Sequence, residues 1–180
     1  MADFDSAPQL DGPRMSLRPL VAQDRAALRA AASDPRIWEQ HPARQRHEAA
    51  VFDPYFDFLL QAGGTLIVTD RAQKQVIGCS RFYTVPDQLG DWAIGFTFLS
   101  ADYWGGGWNR ELKSLMTTHA FTKQPRLWFH IAPDNIRSQV ATTRLGAQYA
   151  YDADLDLGTG SVTTKCYRLT QADWAAAIKS

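Results

Sequence analysis

The chain has 180 residues, 45% of them hydrophobic, 21% charged and 12% aromatic, and its 19 basic side chains balance 19 acidic ones. That length carries one domain with a sizeable core and is short for two. A neutral chain lacks the basic footprint of a nucleic-acid binder and gives an anionic membrane nothing to hold. No apolar stretch approaches the roughly 20 residues a membrane span requires.

Residues 1–13 hold Pro8, Gly12 and Pro13 with little periodicity. They read as a loose lead-in without the apolar core of a secretory signal, ahead of a single domain over residues 14–180. Two cysteines, Cys79 and Cys166, form no disulfide framework. The expected compartment is therefore reducing and cytoplasmic. Residues 14–20 alternate polar and apolar, predicting a half-buried strand. An alanine-rich helix follows over 22–33, with Asp24 in its first turn against the helix dipole and Asp34-Pro35 as its stop. Residues 36–63 read as helix in two pieces broken near Pro42 and ended by Gly63-Gly64.

Three β-rich runs come next, at 65–70, 75–85 and 92–99, joined by short polar turns that predict a meander. Strict alternation in the third run puts Trp92, Ile94, Phe96 and Phe98 on one face. Gly105, Gly106 and Gly107 then open a helix to about residue 122. A strand at 126–132 and a helix at 135–145 follow, the latter closed by Gly146. Two more strands are expected near 148–154 and 162–169. Thr170 and Asp173 fit the capping box of a terminal helix. This order is not a strict βα alternation. It predicts an α+β domain with a predominantly antiparallel sheet and helices on both faces.

The strongest chemical signal is YWGGGWNRELK at 103–113, between a strand and a helix. A helix N-terminus presents free N–H groups and a positive dipole end, and glycine lets an anion approach that backbone closely. The run is not a P-loop. Arg110 stands where the dinucleotide fingerprint needs its third glycine. A pyrophosphate loop for coenzyme A is the remaining reading.

With NIRSQVATTRLGA at 135–147 and SLRPLVAQD at 16–24, this run resembles the GNAT acetyltransferase superfamily, and most of all its ribosomal-protein N-terminal acetyltransferase branch. The resemblance spans about 14–169. It implies a six- to seven-stranded sheet whose fourth and fifth strands splay to admit pantetheine, and acetyl transfer from acetyl-CoA to an amine. It assigns Trp104, Gly105, Gly106, Gly107, Trp108 and Asn109 to the pyrophosphate loop, Phe98 and Leu99 to the strand end that pairs with pantetheine, and Asn135 and Ser138 to the region near the sulfur. It is also compatible with a homodimer. Three positions depart from the family pattern: Asp102 replaces a Gln or Arg, Thr142 replaces the usual tyrosine acid, and Ala93 replaces a glutamate base.

The chemistry is attack of a neutral amine on a thioester, directly within a ternary complex. A backbone N–H near Leu99 suits the developing oxyanion, and Ser138 is the candidate acid for the thiolate. Two base candidates stand. Asp91 shares a face with Ala93 but sits about 7 Å further back, so it needs a water relay. His130 lies beside the expected splay and titrates near neutrality. An α-amino acceptor, with a pKa of about 7.7–8, makes a strong base dispensable. The acceptor is a protein N-terminus or a small amine, and Trp38, Phe82 and Tyr83 either wall its site or simply pack. Cys79 and Cys166 read as core, and no spacing suggests a metal site. With the glutamate and tyrosine missing, a non-catalytic acyl-CoA-binding or sensory domain is the alternative.

Overall fold

The computed structural model describes residues 4–179. Its frame is one eight-stranded sheet ordered β1-β2-β3-β4-β5-β6-β8-β7. The strands are β1 (Leu10–Asp11), β2 (Met15–Pro19), β3 (Thr65–Asp70), β4 (Gln75–Thr84), β5 (Trp92–Leu99), β6 (Arg126–Ile131), β7 (Gln148–Asp156) and β8 (Ser161–Thr170). Every pairing is antiparallel except β5 with β6. A parallel neighbour needs a crossover, and α3 (Trp108–Ala120) supplies it. The other helices are α1 (Arg25–Ala31), α2 (Ala49–Ala62), α4 (Ile136–Thr143) and α5 (Gln171–Ala177).

Two layers of helix cover the sheet. On one face Leu112, Met116 and Ala120 of α3, spaced at i, i+4 and i+8, pack with Trp174 of α5 against Leu66, Ile94, Leu127 and Leu169. On the other, Leu28 of α1 and Phe52, Phe56 and Leu59 of α2 close over Ile67, Cys79 and Phe98. Burying each such side chain contributes roughly 1.5–3 kcal/mol. Helix ends follow local signals. The Asn135 side chain accepts from Ser138 N–H at the start of α4, Thr170 accepts from Asp173 N–H at the start of α5, and Gly146 takes φ 94° after α4. Among the described residues no helix is long and apolar enough to cross a membrane.

The structure corrects three expectations. Residues 1–3 of the lead-in lie outside the described residues, but the rest is packed. Phe4 meets Phe82 at 5.2 Å and Trp92 at 4.7 Å between ring centroids, and Leu10 pairs with Leu17 to add the eighth strand. The segment before α2 holds only a 3-10 turn, Pro35–Trp38. The predicted helix at 22–33 likewise begins as a 3-10 turn, Ala22–Asp24. There Asp24 does more than face a dipole: its carboxylate pairs with Arg18 at 2.7 Å and accepts from Val21 N–H at 2.9 Å.

Candidate active site

The expected splay lies between β5 and β6, the fourth and fifth strands when β1 is left out of the count. They pair only at Trp92–Leu127 and Ala93–Trp128; past those rungs the strands part. Beside the gap, β5 carries a bulge against β4. Cys79 faces Phe98 and Arg81 faces Gly95, so Phe96 and Thr97 together oppose Ser80. Phe96 takes φ 52°, a left-handed conformation in mid-strand that costs of order 1–3 kcal/mol and persists only where packing enforces it. A bulge shifts side-chain alternation by one. Trp92 and Ile94 therefore pack on the α3 face while Phe96 and Phe98 pack on the α2 face. The single aromatic face predicted for β5 is not formed.

The bulge carries a polar thread. Thr97 Oγ1 lies 2.7 Å from Ser80 Oγ and accepts from Lys113 Nζ at 2.6 Å. Lys113 is buried on α3, and desolvation pushes its pKa down to about 7. Beyond the bulge, Ser100 N–H donates to Ile77 O at 2.7 Å. Antiparallel alternation then turns the backbone of Leu99 away from β4, toward the gap. The Leu99 carbonyl accepts the Trp104 indole N–H at 3.1 Å.

Gly105, Gly106 and Gly107 adopt φ of 74°, 57° and 81° in succession, and Gly107 is the N-cap of α3. Arg14 fixes this loop from 92 residues away: its Nη1 donates to Gly106 O at 2.8 Å while Nε and the backbone N–H hold Glu111 at 2.7 and 2.9 Å. With that carbonyl drawn back, the trans peptide points Gly107 N–H the opposite way. Among the described residues the N–H groups of Gly105, Gly106 and Gly107 have no protein acceptor. Asn109 follows in the first turn of α3. Trp108 packs beneath the loop, 4.8 Å from Tyr103 and under the Arg14 guanidinium at 4.5 Å. A left-handed glycine loop with free donors at a helix N-terminus fits a pyrophosphate, so the chain's own residues suit coenzyme A.

Across the gap mouth, α4 begins at Asn135 with its cap occupied by Ser138 N–H at 3.2 Å. The Ser138 hydroxyl is half-buried and makes no bond among the described residues. Trp104 stacks under Arg137 at 4.1 Å, and Arg137 N–H donates to Gln40 at 3.0 Å. The stretch containing Trp38 is thereby tied to α4. Trp38 itself lies 5.2 Å from the ring of Phe98.

On the α2 face, Tyr83 Oη and His130 Nδ1 are 2.8 Å apart, and His130 Nε2 is buried with no partner. Burial pushes the His130 pKa down to about 4 and raises that of Tyr83 well above its usual range. The imidazole is neutral near pH 7. Asp91 has a different place: its Oδ2 accepts Arg126 Nε at 2.5 Å and Trp128 Nε1 at 2.7 Å, at the closed end where β5 and β6 still pair. Phe82 also departs from expectation. It is buried on the α3 face against Phe4 and His119 at 5.2 and 5.9 Å, so the structure does not bring it together with Trp38 and Tyr83. Cys79 and Cys166 are both buried and free, and desolvation pushes Cys79 up to about 12, which suits core thiols and not nucleophiles.

Two participants escaped the sequence reading. The Arg14–Glu111 clamp joins residues 97 apart with no local signature. The bulge did have one, the isolated Gly95 within a strand pattern.

The model of the acetyltransferase (GNAT) domain matches residues 14–148. No curated protein sequence matches the chain. Among solved structures, a GCN5-related N-acetyltransferase from Brucella melitensis superposes with a TM-score of 0.81 at 18% identity, covering 98% of this chain and 85% of that one. The acetyltransferase (GNAT family) from Bacillus anthracis gives 0.69 at 15% identity, over 92% and 99%. RimJ from Mycobacterium smegmatis, in complex with CoA-disulfide, gives 0.67 at 16% identity, over 96% and 91%. At these identities the three structures share the fold.

Proposed function

The chain belongs to the GNAT acetyltransferase family, and we propose that it acetylates a primary amine by direct attack within a ternary complex. One observation carries this reading: strands that part beside a left-handed glycine loop whose N–H groups are free. Acetyl-CoA supplies the acetyl group as a thioester. Gly105–Gly107 and the first turn of α3 hold the pyrophosphate through backbone donors and the helix dipole. The backbone of Leu99, turned toward the gap, offers an N–H dipole to the developing negative oxygen.

His130 is the better of the two base candidates. It is neutral, and its Nε2 has no competing bond among the described residues, whereas Asp91 sits at the closed end of the gap with its Oδ2 held by Arg126 and Trp128. A pKa near 4 makes His130 a weak base. That suffices for an acceptor that binds as the neutral amine, so that His130 takes only the proton freed once the nitrogen has attacked. Ser138, with an uncommitted hydroxyl at the start of α4, relays a proton to the departing sulfur and regains one from solvent, while His130 returns to solvent the proton it took from the nitrogen.

The test is free-thiol release from acetyl-CoA across an amine panel. Acceptor-dependent release supports the transferase. Tight coenzyme A binding with no acceptor-dependent release would instead favour a non-catalytic acyl-CoA-binding domain.

A further inference from the structure

Among the described residues two arginines are buried, Arg46 and Arg81, each about 9% exposed. Both lie on the α2 face, and among the described residues neither enters an ion pair. The contrast with the other guanidiniums is sharp. Arg14, Arg18, Arg25, Arg29 and Arg126, all more accessible, each have a carboxylate partner. Those without one, such as Arg44 and Arg110, are exposed. A guanidinium cannot shed its proton, and a buried charge without a counter-ion is expensive. Here aromatic rings, carbonyl oxygens and a neutral imidazole surround the two charges, and none of these supplies a counter-ion.

The surroundings of the pair define a ligand. The Arg81 guanidinium carbon sits 5.2 Å from the ring of Phe96, 5.5 Å from Phe58 and 5.6 Å from Tyr83. Its Nε and Nη2 donate to Gly63 O at 2.8 Å and Ala62 O at 3.4 Å, which leaves Nη1 uncommitted. Arg46 stacks 3.7 Å over Tyr55 and 5.2 Å from Trp38, and its Nε is buried without a partner. Among the described residues its guanidinium has one hydrogen-bond partner, His41 Nε2 at 3.4 Å, an imidazole that burial holds neutral. The Tyr55 hydroxyl feels both cations. Arg81 stacks on the same Tyr83 whose hydroxyl holds His130. Cation and imidazole therefore both neighbour one ring, the guanidinium carbon at 5.6 Å and the imidazole at 5.8 Å from its centroid.

We propose that the acceptor is a small amine that carries a carboxylate, received by Arg81 with Arg46 as the second positive charge, while its amine faces His130. This rests on the transferase reading above and narrows it to amino-acid-like acceptors.

Acetyl-CoA is incubated with free amino acids, their carboxamides and the corresponding amines that lack the carboxyl group, each rate being referred to the concentration of neutral amine because the carboxylate raises the amine pKa. The expected result is a free-acid preference in kcat/KM on the order of tenfold to a hundredfold, the range of a charge-assisted hydrogen bond. Arg81→Met and Arg46→Met should reduce that preference mainly through KM, with coenzyme A affinity unchanged, and Arg81→Lys should retain part of it. Calorimetric binding of the N-acetylated products, free acid against amide, reads the same preference without turnover and needs no variant to fold. Equal turnover and equal binding of acid and amide would overturn the carboxylate site while leaving the transferase intact. A preference for acidic peptide N-termini over every free amino acid would also overturn it. Failure of all amines to react, with no product bound, would sink both readings together.

Discussion

Lys113 Nζ donates to Thr97 Oγ1 at 2.6 Å, so a lysine from the helix behind the glycine loop terminates on the bulge beside the gap. This lysine shares the buried face of α3 with Leu112, Met116, Thr117 and Ala120. Desolvation is the first cause of its low pKa, and the Cys79 thiol on β4 is the titratable group whose charge acts on it. Because the folded pKa lies near 7 and the unfolded value near 10.4, the unfolded chain binds more protons between them. Stability therefore rises with pH from about 7, by roughly 1.4 kcal/mol per unit at most from this group. Cys79 acts in the opposite sense above about 8.5, since its folded pKa is raised. Denaturant titrations between pH 6.5 and 8.5 should show the rise in the wild type and its loss in Lys113→Met. An equal slope in both proteins would contradict the buried-lysine assignment.

Two histidines set the acid side. Burial lowers His41 to about 3 and His130 to about 4. The folded state then binds fewer protons than the unfolded chain between those values and about 6.5, so stability falls as pH drops through that window. His41→Gln and His130→Gln should each flatten the fall. The two variants part in activity: His130→Gln should lower kcat with little change in KM for acetyl-CoA, and His41→Gln should not.

Asp91 separates structure from catalysis. Asp91→Asn weakens the bonds to Arg126 and Trp128 and should cost about 1–3 kcal/mol in unfolding free energy. The folded variant should keep its kcat. A large loss of kcat at unchanged stability would restore Asp91 as the base.

The loop depends on its left-handed backbone. A Cβ at Gly107 meets only Arg14 Nη2, at 3.4 Å, but a β-branched residue at φ 81° is strained. Gly107→Val should weaken coenzyme A binding by calorimetry, and Arg14→Met should do so more mildly by releasing the Gly106 carbonyl. Unchanged affinity in folded Gly107→Val would remove the loop from the binding site.

Much of this molecule was legible from residue to residue. The glycine run, the Asn135 and Thr170 caps, the Gly146 stop and the hairpin spacing are local signals, and the strands and helices follow them. What escaped was decided elsewhere in the chain. Alternation predicts one aromatic face on β5, but the left-handed turn at Phe96 moves Phe96 and Phe98 to the α2 face, beside Trp38, Phe58 and Tyr83. Phe82 and Tyr83 are both candidates for the acceptor wall in the sequence, yet adjacent strand residues point to opposite faces. Phe4 reads as part of a loose lead-in until Phe82 and Trp92 close around it. The two buried guanidiniums stand out only when their missing partners can be seen.

Direct transfer in a ternary complex is the central claim, and initial rates with acetyl-CoA and amine varied together test it most directly. The account predicts intersecting double-reciprocal lines, with both substrates bound before coenzyme A leaves. Parallel lines, the mark of an acetylated enzyme, or the absence of amine-dependent turnover would contradict it.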